Sequence, residues 1–114
     1  MDDEKRKNVV LTLMKLGCMP NTKGFQYLRE EIIMCLENRT NITNMTKLIY
    51  PEIARKYSTS EKAVERASRA AIHSGWSRRD KKLTKSIFGN TLQFETEIPS
   101  STLFIAAVVE WIAT

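Results

Sequence analysis

Apolar residues recur along this chain at spacings of three and four, so it reads as a series of helices. Over about 3–16, acids lead, Val9, Val10, Leu13 and Met14 supply the apolar positions, and Gly17 then Pro20 mark the stop. A second helix is predicted over about 23–38, capped by Asn21 or Thr22, with Phe25, Leu28, Ile32, Cys35 and Leu36 on one face. "MTKLI" (45–49) reads as one helical turn, and Pro51 at a first-helical position opens a short helix through Tyr57. "KKLTKSIFGN" (81–90) reads as another short helix stopped by Gly89, and "NTLQFETEI" (90–98) as an extended excursion or a loop. Pro99 with Ser100 or Ser101 opens a last helix that puts Leu103, Phe104, Ala107, Val108, Trp111 and Ile112 together. Its polar face is almost uncharged, which favours a core helix over one lying on a membrane surface.

The stretch "STSEKAVERASRAAIHSGW" (58–76) has a different character. At 100° per residue, Lys62, Glu65, Arg66, Arg69 and His73 form one charged stripe, with Val64, Ala67 and Ala71 roughly opposite. Ser58 and Glu61 have the spacing of a capping box, although Thr59 or Ser60 could cap equally well. A solvated face explains such a stripe when it stands alone. Here the preceding helix ends with Ile53, Ala54 and Tyr57, and Val64 and Ala67 follow Ala54 at the spacing by which the second helix of a helix-turn-helix crosses the first. The turn often has glycine for a positive φ, where this chain has Ser58. The expected fold is therefore all-α, a six-helix bundle containing a helix-turn-helix with helices at about 51–57 and 59–78.

Composition narrows the classes. The chain has 114 residues, 42% hydrophobic and 27% charged, which suits a single globular domain. No apolar run approaches the ~20 residues of a membrane span, and "MDDEKRKNVV" lacks the order of a signal peptide, so a cytoplasmic protein with no membrane partner is expected. Cys18, Cys35 and the single His73 are too few for a zinc site, and both thiols are read as reduced and buried; no metal or cofactor is expected. The three N-x-T sequons in "NRTNITNMT" (38–46) are read as a turn-rich connection that caps the next helical turn.

The net charge of +5 is unevenly spread. Residues 54–85 carry ten basic and three acidic residues, a net of +7, which leaves −2 for the rest. A basic stripe on an outward helix suits the DNA major groove, where arginine pairs bidentately with guanine and glutamate accepts from cytosine. Lys62, Glu65 and Arg66 are the candidate base readers. Arg55, Lys56, Ser60, Arg69, His73, Arg78, Arg79, Lys81 and Lys82 are the candidate phosphate contacts. Glu65 and Arg69 could equally form only an i,i+4 pair, and any single flanking cation could be merely solvated. No nucleophile motif accompanies His73 or Asp80 and no glycine-rich phosphate loop is present, so no enzyme is expected.

"KGFQYLREEIIM", "TKLIYPEIARKY", "AVERASRAAIHSGWSR" and "SIFGNT", in this order and spacing, resemble the C-terminal DNA-binding effector domain of the sporulation stage zero A response regulator family. The resemblance covers about 16–112 and implies an all-α domain of six helices whose fourth reads DNA. Carried over by motif, the family's base-reading Glu and Arg fall on Glu65 and Arg66, and its next-turn phosphate-contacting Arg on Arg69. It also implies tandem homodimers on double-stranded DNA, and for a transcriptional regulator RNA polymerase is a further expected partner. One departure is Ala63, where the family usually has a base-contacting Arg. The other is a receiver domain expected to be absent, with residues 1–114 read as the effector domain alone. Ala63 favours the alternative, a protein-interaction module that keeps the fold and binds another regulator.

Overall fold

The computed structural model describes residues 2–92 and 97–114, and among them are six α-helices. They are α1 (Asp3–Lys15), α2 (Lys23–Glu37), α3 (Tyr50–Lys56), α4 (Glu61–Gly75), α5 (Lys81–Phe88) and α6 (Ser101–Ala113). Among the described residues there is no strand, and the all-α bundle expected from the periodicity is what forms. Asp2, Thr22, Ser60, Asp80 and Ser100 each accept a backbone N–H from three residues ahead, satisfying donors that the first helical turn leaves open. These caps settle the open alternatives in favour of Thr22, Ser60 and Ser100.

α2 is the centre of the bundle and packs on α1, α3, α4 and α6. Its Phe25, Leu28, Ile32 and Cys35 are buried as the spacing predicts, while Leu36 is only partly covered. On α1, Val9 and Leu13 are buried but Met14 is exposed. α2 approaches α4 closely at Gly24, where a Cβ would lie 2.1 Å from the Ala67 carbonyl oxygen. Gly17, at φ +94°, passes α4's last residue Gly75 at similar range, a conformation and a clearance that only glycine permits. The backbone N–H of Asp80 donates to the Lys15 carbonyl at 2.7 Å, which ties the start of α5 to the end of α1.

The sequon segment forms a 3-10 turn, Arg39–Asn44, that Asn38 caps by accepting from the Thr40 N–H at 3.1 Å. Asn41 donates to the Met34 carbonyl and closes the segment onto α2. "MTKLI" makes its turn in a wider π form, Met45–Ile49, running into α3 one residue before Pro51. α4 stops at Gly75, short of the expected end, and one 3-10 turn, Trp76–Arg78, carries the chain on. Of the extended excursion expected at 90–98, residues 93–96 lie outside the described residues.

α6 differs from expectation in which face it buries. Phe104, Ile105, Val108 and Val109 are covered, Leu103, Ala107 and Ile112 are half-buried, and Trp111 is 42% exposed. The helix is apolar nearly all round, so spacing alone does not select a face; packing on α1, α2, α4 and α5 does. Cys18 and Cys35 are free and buried, and burial pushes their thiols up to about 12 and about 11. Among the described residues, no helix is long and apolar enough to cross a membrane.

Candidate nucleic-acid interface

α3 and α4 meet through a four-residue connection that ends α3 in a defined way. The Thr59 N–H donates to the Ala54 carbonyl at 2.9 Å and the Ser58 N–H to the Arg55 carbonyl at 3.3 Å. Ser58 sits at φ +53°, among the described residues the one non-glycine with positive φ. This is a Schellman closure with serine at the left-handed position, so the missing glycine changes the energy of the turn and not its shape. Ser60 then caps α4 by accepting from the Ala63 N–H at 3.0 Å.

Ile53, Ala54 and Val64 are buried where the two helices touch, with Tyr57 and Ala67 half-covered at the margin. Ser68, Ala71 and Ile72 extend the inward face of α4. That docking fixes which side of α4 faces out. Lys62, Arg66, Arg69 and His73 are exposed, and Glu65 is half-buried at the edge, with Arg69 Nη1 3.5 Å from its Oε1. The first two turns of α4 thus present Lys62, Glu65 and Arg66, the three candidate base readers, on one surface.

The flanking cations are differently placed. Arg55 is exposed and pairs with Glu52, and Lys56 reaches Glu30 of α2 at 2.8 Å, a hydrogen bond that raises the lysine's pKa. Exposed pairs of this kind contribute ~0–1 kcal/mol, so phosphate can displace either carboxylate at little cost. Arg78 donates to the carbonyls of Ser74 and Gly17, both at 3.0 Å, capping α4 and fastening the α1–α2 connection to it. Arg79 stacks 4.6 Å from the centre of the Trp76 ring and donates to the Trp76 carbonyl. These two arginines therefore also have structural work; Lys81 and Lys82 are exposed on the first turn of α5.

Behind α4 the structure holds a group that the sequence reading passed over. Glu31 of α2 is wholly buried and accepts a 2.7 Å hydrogen bond from Ser68. Burial pushes its carboxyl up to about 8, opposed by the Ser68 bond and reinforced by Glu65. The signal was a charged residue inside the apolar arc of α2 and a serine inside that of α4. Among the described residues, no cluster of three or more His, Cys, Asp or Glu could hold a metal.

A helix-turn-helix whose second helix carries an exposed basic stripe, inside a bundle of six helices, defines a DNA-binding effector domain. The family model described as the sporulation initiation factor Spo0A C terminal matches residues 9–112, and the chain belongs to that family. Its members are transcription-regulating effector domains of sporulation response regulators.

Proposed function

We propose that this chain is a sequence-specific, double-stranded-DNA-binding transcriptional regulator that inserts α4 into the major groove. The observation that carries the reading is the outward stripe of the first two turns of α4, with Lys62 and Arg66 exposed and Glu65 beside them. Arg66 suits guanine, Glu65 suits a cytosine amino group, and Arg69 is oriented by Glu65 toward the backbone. Arg55, Lys56, Ser60, His73, Arg78, Arg79, Lys81 and Lys82 are the further phosphate candidates. Two copies in tandem would read a direct repeat, with RNA polymerase as the downstream partner. The activity is binding and involves no catalysis or cofactor.

Selection of sites from randomised duplex DNA at two salt concentrations tests the reading. An enriched motif is expected, and on it Arg66→Ala should cost ~1–3 kcal/mol and relax preference at one base pair. Equal losses on selected and random duplexes would remove Arg66 from base reading. Ala63, half-buried and without a group to hydrogen-bond a base, favours a second reading: a module that uses the same surface to bind another regulator. Absence of any enriched motif would support it.

A further inference from the structure

Glu31 has no exposed surface and lies where α2 packs on α4. Its Oε2 accepts the hydrogen bond from Ser68 Oγ, while Oε1 has no hydrogen-bond partner among the described residues. Ser68 is equally buried, on the inward face of α4, one turn beyond Glu65 and one residue before Arg69. The titratable groups within electrostatic reach of the carboxyl are Glu65 of α4, Tyr50 of α3 and Cys35 one turn along α2. An ionised carboxylate with one hydrogen bond in a buried site is costly, whereas the neutral acid is tolerated there.

We propose that Glu31 is a proton-linked positioning residue for the DNA-reading helix. The neutral acid is tolerated in the α2–α4 contact and keeps α4 seated against α2; ionisation buries a charge that the single Ser68 bond does not offset, so it loosens that seat and weakens DNA binding. The inference rests on the DNA-reading function proposed above.

Three features support the linkage. Burial dominates the raised titration of Glu31, to about 8, so the proton is held at neutral pH. Cys35 and Tyr50 are pushed up to about 11 and about 12, so neither titrates with it. Ionised Glu31 would also add a negative charge behind Glu65, on the side of the domain that receives phosphates. By reciprocity, bound DNA should hold the proton more tightly.

The test follows the Glu31 carboxyl and the amide signals of residues 61–75 by NMR from pH 6 to pH 9.5, in the wild type, Glu31→Gln and Ser68→Ala. Affinity for the selected duplex is measured over the same range at constant salt. In the wild type the α4 amides should shift together with a midpoint near that of the carboxyl, about 8. Affinity should fall at least about fivefold between pH 7 and pH 9. Glu31→Gln, which keeps the shape and the acceptor, should be flat in both readouts. Ser68→Ala, which removes the bond that favours the charged form, should move the midpoint upward. A carboxyl titrating in the ordinary range, α4 amides that ignore it, or the same pH–affinity profile in Glu31→Gln would each overturn the proposal. If no duplex is selected, the function proposed above fails, and the amide titration still judges whether Glu31 seats α4.

Discussion

Ser58 holds a left-handed conformation with a Cβ, which glycine would hold without one. A non-glycine residue there costs about 1 kcal/mol, part of which glycine would return as entropy of the unfolded chain. Ser58→Gly should therefore raise stability by up to about 1 kcal/mol in chemical denaturation and leave DNA affinity unchanged. A loss would mean that the hydroxyl contributes to the turn. Arg66 and Arg79 separate on stability as well as on binding. Arg66 is exposed, so Arg66→Ala should leave the melting temperature nearly unchanged. Arg79 stacks on the buried Trp76, and Arg79→Ala should cost about 1 kcal/mol of stability besides weakening every DNA sequence alike. Thermal melts of the two variants check this, and equal melts would reduce the Arg79–Trp76 contact to an incidental one.

The α2–α4 pair sets the presentation of the reading surface, and its buried carboxyl gives that pair a pH dependence. Glu31 titrates near 4.5 in an unfolded chain and near 8 when folded, so between these values the native state holds a proton that the unfolded state has lost. Stability is therefore full below about pH 4.5 and falls as pH rises toward 8, by at most about 1.4 kcal/mol per unit from this group. Denaturation curves at pH 5, 6, 7 and 8 should show that decline in the wild type and lose it in Glu31→Gln. Parallel curves would show that the carboxyl is not buried as neutral acid in solution. The same pair marks a boundary of sequence reading. That Glu31 and Ser68 interrupt apolar arcs is visible in the helical spacing, but their partnership spans 37 residues and depends on how two helices cross. Caps are local chemistry, so Thr22, Ser60 and Ser100 are among the candidates that the sequence offers. The buried face of α6 depends on four neighbouring helices, and spacing alone places it to one side of its true position.

At the scale of the molecule, charge was legible and its engagement was not. The excess of basic residues at 54–85 is plain in the sequence. Which cations the fold already uses is not, since Arg78 is recruited by Gly17 from 61 residues away. That distinction sets a quantitative expectation for DNA. Seven of the phosphate candidates are fixed cations, and at about 0.9 counterions released per contact they would give log K a slope near −6 against log salt. Arg78 donates to the two backbone carbonyls of Ser74 and Gly17, and withholding it leaves six, with a slope near −5.4 per copy. Arg55, Lys56 and Arg69 must first exchange Glu52, Glu30 and Glu65 for phosphates, which affects affinity more than slope. Lys82→Ala should lower the slope by about 0.9 on every sequence, while Arg78→Ala should change stability and leave the slope alone. A tandem pair on a direct repeat should double the single-copy value. Binding that ignores salt would instead place the partner among uncharged protein surfaces, because no arrangement of this basic region on duplex DNA escapes counterion release.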